Sequence, residues 1–196
     1  AVAIVSLFVP KGTEVVSMRG RQKESNKTYY TETEPIDTLI PIAVLTDSYT
    51  ASSAEIVAGA LQDLDRAVLI GRRTFGKGLV QSTRPTGFNS YLKVTTAKYY
   101  IPSGRCIQAI DYTHRNPNGS VGYVADSLIS QFETRSGRKV YDGGGIMPDI
   151  LTEPQYASGF AISLYEQGAF DDAADMFMRE NRDMEIDPLT FSLPQE

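Results

Sequence analysis

The sequence has almost none of the residue types from which disulfides and metal centres are built. Cys106 is the one cysteine and His114 the one histidine among 196 residues, and tryptophan is absent. A single cysteine excludes an intrachain disulfide, and a single histidine excludes a multi-histidine metal site. Catalysis by a serine with a histidine base would have one candidate base, His114. Nothing in the composition indicates a metal or an organic cofactor.

Excess positive charge and long apolar runs are also lacking. The chain carries 19 basic and 24 acidic residues, for a net charge of -5. This balance argues against a surface for nucleic acid or anionic membranes. No apolar run approaches the roughly 18 residues that a membrane-spanning helix needs. The hydrophobic fraction of 41% is ordinary for a folded domain and excludes wholesale disorder.

Neither end of the sequence has the pattern of a natural terminus. The chain begins with Ala1 rather than methionine, and no basic-then-apolar signal peptide follows. Its first residues have the spacing of the end of an amphipathic helix, which Pro10 and Gly12 terminate. The last residues stop without a capped element. We therefore expect the chain to be cut at both ends.

The middle of the chain predicts a parallel βαβ unit. Residues 41–47 are a short apolar run bounded by turn residues, which predicts a buried strand. Residues 48–66 change to a helical period, and residues 67–71 predict a second buried strand. A strand, a helix and a strand within about thirty residues are typical of two parallel strands joined by a crossover helix. Residues 79–101 have strand composition and predict a β-ribbon.

The remaining segments are predicted from composition. Residues 106–142 are polar, which indicates an irregular surface excursion with one short helix. Residues 154–181 have a helical pattern again. The apolar residues expected to be buried there are Leu164, Phe170, Phe177 and Met178. One helical hairpin of this kind cannot form a repeat solenoid by itself.

The first candidate for chemistry is the turn from the first predicted strand into the helix, Thr50-Ala51-Ser52-Ser53-Ala54-Glu55. A serine at such a turn is exposed at the edge of the sheet. The free N–H groups of the helix start can stabilise a developing oxyanion. Serine at this place is, however, far more often a helix cap. The pattern alone does not choose between Ser52 and Ser53, or between a nucleophile and a cap.

The second candidate is the glycine-flanked loop at residues 71–78, GRRTFGKG. It nearly matches the phosphate-binding pattern G-x-x-x-x-G-K-[ST], but Gly78 lacks the hydroxyl and strand-type residues follow where a helix is required. Those two differences disfavour a nucleotide site. Lys77 lies among Phe75, Leu79 and Val80, and a partly buried lysine can be neutral and accept a proton. A solvated lysine in a turn is the alternative.

Other catalytic candidates are weaker. His114 falls in the polar stretch, where we expect an exposed loop residue rather than a base. Cys106 adjoins a predicted strand and is expected to be a small buried apolar residue rather than a nucleophile. Lysine is a known substitute for histidine as the base of a serine nucleophile. One of the two serines and Lys77 therefore form the candidate pair.

These segments closely resemble the carboxyl-terminal processing peptidases, or tail-specific proteases, which are serine peptidases with a Ser-Lys catalytic pair. The resemblance rests on TASSAEIVAGALQDLDRAVLIGRRTFGKGLVQ, YYIPSGRCIQ and GGGIMPDI, within residues 1–150. It implies that Ser52 is the nucleophile and Lys77 the general base. It further implies that Gln81 orients the lysine amine and that the backbone N–H of Ser53 donates to the oxyanion.

The resemblance also implies a fold and a domain division. The fold is α/β, a core like that of crotonase and Clp protease, built of ββα units with an added β-ribbon and a C-terminal helical segment. Residues 1–152 would be the peptidase core and residues 153–196 the helical segment. The N-terminal part of the core, with a second oxyanion donor, and the peptide-binding PDZ domain are expected to lie outside this chain.

Two further features depend on the resemblance. The insertion at residues 111–142 is similar to that of Bacteroides-like members of the family. Asp63 stands where the family often has an aspartate that has been considered functional, and a solvated or capping carboxylate is the alternative interpretation.

The implied activity is that of an ATP-independent serine endopeptidase that cleaves proteins at or near flexible apolar C-terminal tails. Its partners would be proteins or peptides with unstructured C-termini. No nucleic acid, nucleotide, metal or cofactor is expected. The sequence does not decide whether the protein forms a homo-oligomer. The implied location is outside the cytoplasm, in the periplasm or at the inner membrane. The alternative function is a non-catalytic binding or scaffold module with a peptidase fold.

Overall fold

The computed structural model describes residues 1–154, 156–182, 184, 187 and 190–192. The chain divides into two compact units, Ala1–Glu153 and Pro154–Glu196. Within the described ranges, no helix combines the length and the apolar character needed to cross a membrane.

The first unit is a mixed α/β structure, which confirms the predicted fold class. Its helices and strands, in chain order, are α1 (Val2–Ser6), β1 (Glu14–Arg19), β2 (Lys27–Tyr30), β3 (Ala43–Thr46), α2 (Ser53–Asp63), β4 (Val68–Gly71), β5 (Leu79–Gly87), β6 (Ser90–Tyr100), β7 (Ile110–Arg115), β8 (Val121–Tyr123), β9 (Gln131–Glu133), β10 (Lys139–Tyr141) and β11 (Ile150–Leu151). One sheet has the strand order β2-β1-β6-β5 and another the order β11-β4-β3, while β7 pairs with β8 and β9 with β10.

The predicted βαβ unit is confirmed. Strands β3 and β4 pair in parallel, with Ala43 opposite Val68 and Thr46 opposite Gly71. Helix α2 is the crossover between them, and β11 adds a further parallel strand beside β4. The Ser52 turn therefore lies at the carboxyl end of β3, and the glycine-rich loop follows the carboxyl end of the adjacent strand β4. Parallel pairing brings both candidate segments to one edge of the sheet.

Helix α2 forms the centre of the core. Its apolar residues recur at helical spacing, and Ile56, Ala60 and Leu61 are at most 5% exposed. The helix packs closely on its neighbours because Gly59 has no Cβ, which would lie 2.6 Å from a methyl carbon of Ile101. The other buried core residues include Val5, Val15, Leu69, Ile107 and Ile146.

Two expectations about the first unit are wrong. The parallel strands are buried on one face only, since Leu45 is 78% and Val68 45% exposed. Helix α2 covers one face of this sheet, and the described residues leave much of the other open. The polar stretch 106–142 is also more regular than expected, because it contains strands and the short 3-10 turn Asp126–Leu128. Its strands are short and their pairing is local, so they have no clear alternation in the sequence.

In its described residues, the second unit has two helices, α3 (Gly159–Glu166) and α4 (Ala169–Glu180), joined by Gly168 in the left-handed conformation. Helix α3 begins where the Ser158 hydroxyl accepts a hydrogen bond from the Ala161 N–H. The expectation of burial fails for Phe170 and Met178, which are 54% and 44% exposed. Two helices facing each other shield only the sides that touch.

Candidate active site

The candidate nucleophile Ser52 lies in a strained turn. The turn begins at Asp47, whose carboxylate accepts hydrogen bonds from the N–H groups of Tyr49 and Thr50, at 2.9 Å each. The bond from Tyr49 contributes most to lowering the pKa of Asp47. Ser52 itself has φ 58° and ψ -116°, which only a few non-glycine residues adopt. Such a conformation costs on the order of 1–3 kcal/mol and is kept because the surroundings enforce it.

The surroundings that enforce it centre on Glu55, whose side chain is wholly buried. One carboxylate oxygen accepts hydrogen bonds from the backbone N–H groups of Ser52, at 2.9 Å, and of Lys77, at 2.8 Å. The other accepts from the hydroxyl of Thr74, at 2.5 Å, and from the N–H of Gly76, at 2.7 Å. The backbone nitrogens of Ser52 and Lys77 thus share one acceptor atom. This single side chain holds the serine turn against the lysine loop.

The lysine loop, residues 74–78, is held from its other side by the segment that follows β6. A Cβ on Gly76, which has φ +83°, would lie 2.2 Å from the Cβ of Ala109. A Cβ on Gly78 would lie 2.5 Å from the backbone nitrogen of Gln108. The Gly78 N–H also donates to the Gln108 side-chain oxygen at 2.8 Å. The two glycines beside Lys77 are therefore required by close backbone approach.

The side chains of the candidate pair are less constrained than their backbones. Among the hydrogen bonds of the described residues, none joins the Ser52 hydroxyl to the Lys77 amine. Lys77 is exposed, which corrects the expectation of partial burial. The apolar neighbours do not cover it, because Phe75 is itself 48% exposed and Leu79 only partly buried.

The predicted assisting groups lie near the same two segments. Ser53 is the first residue of α2, and its N–H has no acceptor within the described residues. Such an unpaired N–H at a helix start can donate to an oxyanion. Gln81 lies on β5 and is exposed. Lys77 and Gln81 both line a cavity of about 610 Å³.

Strand β7 of the β7–β8 hairpin forms another wall of this cavity. His114 lies on strand β7, rather than in the loop that we expected, and lines the cavity with Asp111. Its Nδ1 lies 2.6 Å from an Asp111 carboxylate oxygen, and the His114 side chain is 81% exposed. Hydrogen bonds from Thr113 and then from His114 hold the pKa of Asp111 far below its usual range. The one histidine thus faces the cavity beside Lys77.

Asp63 is not the solvated carboxylate considered from the sequence. It is buried and forms an ion pair of 2.8 Å with the buried Arg105, and it accepts a hydrogen bond of 3.0 Å from the Ser103 N–H. Burial raises the pKa of Asp63, and the charge of Arg105 opposes that shift. Asp63 ends α2, roughly 16 Å along the helix from the Ser52 end. Its contacts anchor the PSGR turn and do not touch Ser52 or Lys77.

The alternatives to a serine site find little support in the geometry. The N–H groups of Gly76, Lys77 and Gly78, which a phosphate would need, already donate to Glu55 and Gln108. Burial raises the pKa of the Cys106 thiol, which disfavours the reactive thiolate. The described part of the chain contains no cluster of three or more histidine, cysteine, aspartate or glutamate residues that could hold a metal ion.

Comparison with known proteins identifies the family. The model of peptidase family S41 matches residues 1–117. The chain belongs to peptidase family S41. The predicted resemblance is thereby confirmed at the level of the family, whereas the Bacteroides-like form stays a prediction.

Individual relatives match less than their whole length. A carboxy-terminal-processing protease of Bartonella bacilliformis is 45% identical over 113 residues, which are 58% of this chain and 26% of that protein. A carboxyl-terminal-processing protease of Synechocystis is 39% identical over 128 residues, or 65% of this chain and 27% of that protein. This S41 chain therefore spans about a quarter of the length of these curated relatives.

A solved structure supports the same assignment. The photosystem II D1 C-terminal processing protease matches with a TM-score of 0.54 and 26% identity, over 78% of this chain and 30% of that one. The parts in common thus share a fold with a processing protease.

The role of Glu55 was not predicted from this S41 sequence, in which Glu55 was considered only as an acidic residue in the first turn of the helix. The one local signal was its position three residues after a helix-capping serine, from which its side chain can reach back to the serine N–H.

Proposed function

We propose that this S41 chain carries the nucleophile and the base of a serine endopeptidase, with Ser52 and Lys77 in those roles. The observation that supports the proposal most is the shared acceptor oxygen of Glu55. It brings the backbones of two residues far apart in sequence to one place. Ser52 also has the strained, only partly buried position at a helix start that nucleophiles use.

The mechanism is acyl transfer through two proton movements. Neutral Lys77 accepts the proton of the Ser52 hydroxyl as its oxygen attacks the scissile carbonyl carbon. The resulting oxyanion accepts a hydrogen bond from the Ser53 N–H. Lys77 then gives the proton to the leaving amine, and an ester remains on Ser52. Water hydrolyses the ester with Lys77 as base again, while Gln81 orients the amine.

Substrate binding has a specific task in this mechanism. The exposed Lys77 side chain has to rotate towards Ser52, and a bound peptide in the adjoining cavity would exclude water from the amine. Exclusion of water favours the uncharged amine that accepts a proton. The backbones stay in place during this rotation because Glu55 already bonds both.

The proposal extends to substrates, domains and location. Relatives are named for carboxyl-terminal processing, and we propose that this chain acts likewise on proteins with flexible apolar C-terminal tails. Residues 1–152 would be the catalytic core and residues 153–196 an accessory helical segment. The site of action would be the periplasm or the outer side of the inner membrane.

A covalent serine probe tests the proposal directly. A fluorescent phosphonate probe is incubated with the protein and with four variants, Ser52→Ala, Ser53→Ala, Lys77→Ala and Lys139→Ala, and the adduct is located by mass spectrometry. We expect an adduct on Ser52 in the parent, no adduct in Ser52→Ala, and labelling at least about a hundredfold slower in Lys77→Ala, the scale of general-base catalysis. Lys139 is an exposed lysine on β10 and serves as the matched control.

Two outcomes would contradict the proposal. An adduct on Ser53 with Ser52 unmodified would move the nucleophile by one residue. Absence of any adduct, with the unfolding transition of the protein intact, would favour the non-catalytic binding module.

A further inference from the structure

A second cavity continues from the one that adjoins Lys77. It has a volume of about 460 Å³ and shares Leu79, Thr95 and Lys98 with the first cavity. The two together form one path along the sheet face, from Lys77 and Gln81 across β5 and β6 to β1. A peptide lying at the candidate catalytic residues can therefore extend into the second cavity without leaving the surface.

The sheet register places the lining residues in one row. Arg19 on β1 is directly opposite Lys98 on β6, and Lys98 is directly opposite Leu79 on β5. Directly opposed residues point to the same face of a sheet. Leu79 follows Lys77 by two positions in the chain. The row thus runs from the candidate base to two cationic side chains.

The charges along this row are of one sign. Three charged side chains line the second cavity, Arg19, Arg21 and Lys98, and they define what we call the cationic groove. No ion pair with a carboxylate involves any of the three among the described residues. The arrangement is opposite to the chain's net charge of -5, so composition does not account for it.

The cationic groove is unfavourable for the fold by itself. Like charges directly opposite each other on neighbouring strands are destabilising, and Arg19 and Lys98 are such a pair. The Arg19 guanidinium lies 4.6 Å from the ring centroid of Tyr100, a cation–π contact that orients it but leaves its charge uncompensated. An anionic ligand would relieve the repulsion. Asp111, which lines the other cavity, is already bonded to Thr113 and His114.

We propose that the cationic groove binds carboxylates of the substrate peptide, so that this enzyme selects apolar tails that carry acidic groups close to the cleaved bond. The inference rests on the proposed peptidase function and adds the substrate class to it. The near cavity, with Phe75, Leu79 and Ile110, takes an apolar side chain. The carboxylate belongs to an Asp or Glu side chain of that peptide.

The spacing of the strands sets where the acidic group must be. Neighbouring strands are about 4.8 Å apart and an extended peptide rises about 3.3 Å per residue. Leu79 lies two residues beyond Lys77, and Lys98 is one strand and Arg19 two strands beyond Leu79. An acidic residue about three to five positions from the scissile bond therefore reaches the groove.

A binding measurement tests the groove without requiring turnover. The Ser52→Ala protein is titrated with fluorescent peptides of one apolar sequence that carry Asp-Asp, Asn-Asn or Lys-Lys about four residues from the apolar centre, on either side, with amidated termini. A fourth peptide has no acidic residue but a free terminal carboxylate. We expect the Asp-Asp peptide to bind about five- to tenfold more tightly than the Asn-Asn peptide at low salt. The preference should fall as salt rises.

Matched variants locate the effect. The double variant Arg19→Gln, Lys98→Gln should lose the preference for Asp-Asp. The control Arg84→Gln, Lys93→Gln removes two exposed cations from β5 and β6 of the same sheet, outside both cavities, and should keep the preference. Tighter binding of the free-carboxylate peptide alone would contradict the proposal, because it would assign the groove to the chain terminus.

Several results would overturn the inference. Equal affinity for the Asp-Asp and Asn-Asn peptides would do so, as would a preference that survives in the groove variant or disappears in the control. Binding to phosphatidylserine vesicles that requires Arg19 and Lys98, without a peptide preference, would reassign the groove to a membrane surface. These results differ from failure of the peptidase proposal, which appears as a missing Ser52 adduct in the probe experiment.

Discussion

Two walls of the same cavity are built in opposite ways. The lysine loop, residues 74–78, is held by buried Glu55 and by Gln108. Its glycines, Gly76 and Gly78, lie too close to neighbouring atoms for a Cβ to fit. The β7–β8 hairpin, whose strand β7 lines another wall of the cavity, is held mainly by its own strand pairing, and Tyr112, Thr113 and His114 on it are exposed. The rigid wall carries the candidate base, and the wall with few anchors carries side chains that would only meet substrate. Chemistry needs fixed positions, whereas selection among substrates tolerates adjustment.

Replacing Glu55 should break the rigid wall and have the largest effect. In Glu55→Gln, a carbonyl oxygen remains but the other oxygen becomes an NH₂ group, which faces two donors and accepts from neither. We expect a loss of about 3 kcal/mol or more in the free energy of unfolding, since at least two buried donors lose their acceptor. Urea unfolding measures it, with Glu133→Gln on exposed β9 as the control.

The same variant distinguishes a structural role from a positioning role. If Glu55 sets the relation of Ser52 to Lys77, labelling of Ser52 should slow even at temperatures where the variant is fully folded. Normal labelling in the folded variant would show that the serine turn and the lysine loop keep their positions without the shared oxygen.

A glycine pair compares the two walls directly. Gly76 in the lysine loop and Gly119 in the β7–β8 turn have φ near +80°, but only Gly76 has a neighbour in the way, the Cβ of Ala109 at 2.2 Å. Conformational strain should lower the free energy of unfolding of both alanine variants by about 1 kcal/mol. The clash should lower that of Gly76→Ala by about 2 kcal/mol more. Thermal unfolding followed by circular dichroism measures the difference. Equal losses would mean that the lysine loop can shift, and the contrast between the walls would fail.

Asp65 tests a third region, the turn before β10, which is anchored to the end of α2. Asp65 has φ 54° and accepts hydrogen bonds from Arg138, Thr134 and Ser136. Partial burial raises the pKa of Asp65, but the bonds from Arg138 and Ser136 outweigh it, so the net shift is downward. A lowered folded-state pKa means that the carboxylate stabilises the fold above its unfolded pKa, near 4, and that this stability is lost as the pH falls further.

The free energy of unfolding of Asp65→Asn should therefore be about 1 kcal/mol lower than that of the parent at pH 7, after allowance for solvent screening. Asparagine tolerates the left-handed backbone, so the change removes the charge and one acceptor oxygen without straining the turn. Urea unfolding at pH 7 and at pH 3 checks the sign, because the difference from the parent should shrink at the lower pH. Glu32→Gln removes an exposed carboxylate and serves as the control. A difference that grows towards pH 3 would contradict the direction of the shift.

The sequence was sufficient for those parts of the fold that depend on local pattern. Helix α2 could be predicted because Ile56, Ala60 and Leu61 recur at helical spacing, and β3 and β4 because short apolar runs flank it. The strands of residues 110–141 could not, because they are short and pair only with near neighbours. The open face of β3 and β4 could not either, since an apolar run does not tell which side is covered.

The candidate site likewise has residues that the sequence could predict and residues whose roles it could not. Ser52 at a helix start and Lys77 between glycines could be singled out by residue type and by resemblance. The buried role of Glu55 depends on a loop some twenty residues later in the chain approaching the first turn of α2, which no local pattern encodes. The exposure of Lys77 depends on how far Phe75 turns outward, which is equally non-local. Asp63 was misjudged because its partner Arg105 lies on a distant segment.

The smallest effect is expected where the second wall is most exposed, at His114. Its bond to Asp111 spans three residues of one strand, and the histidine side chain is 81% exposed. Such a contact depends on the hairpin itself and adds little to the fold. His114→Ala should therefore unfold at the same urea concentration as the parent, within the error of the measurement, at both low and high salt. If it lost as much stability as Asp65→Asn, the hairpin would be integrated into the fold like the lysine loop. The cavity would then have two fixed walls, and substrate selection would have to depend on rigid complementarity rather than on adjustment.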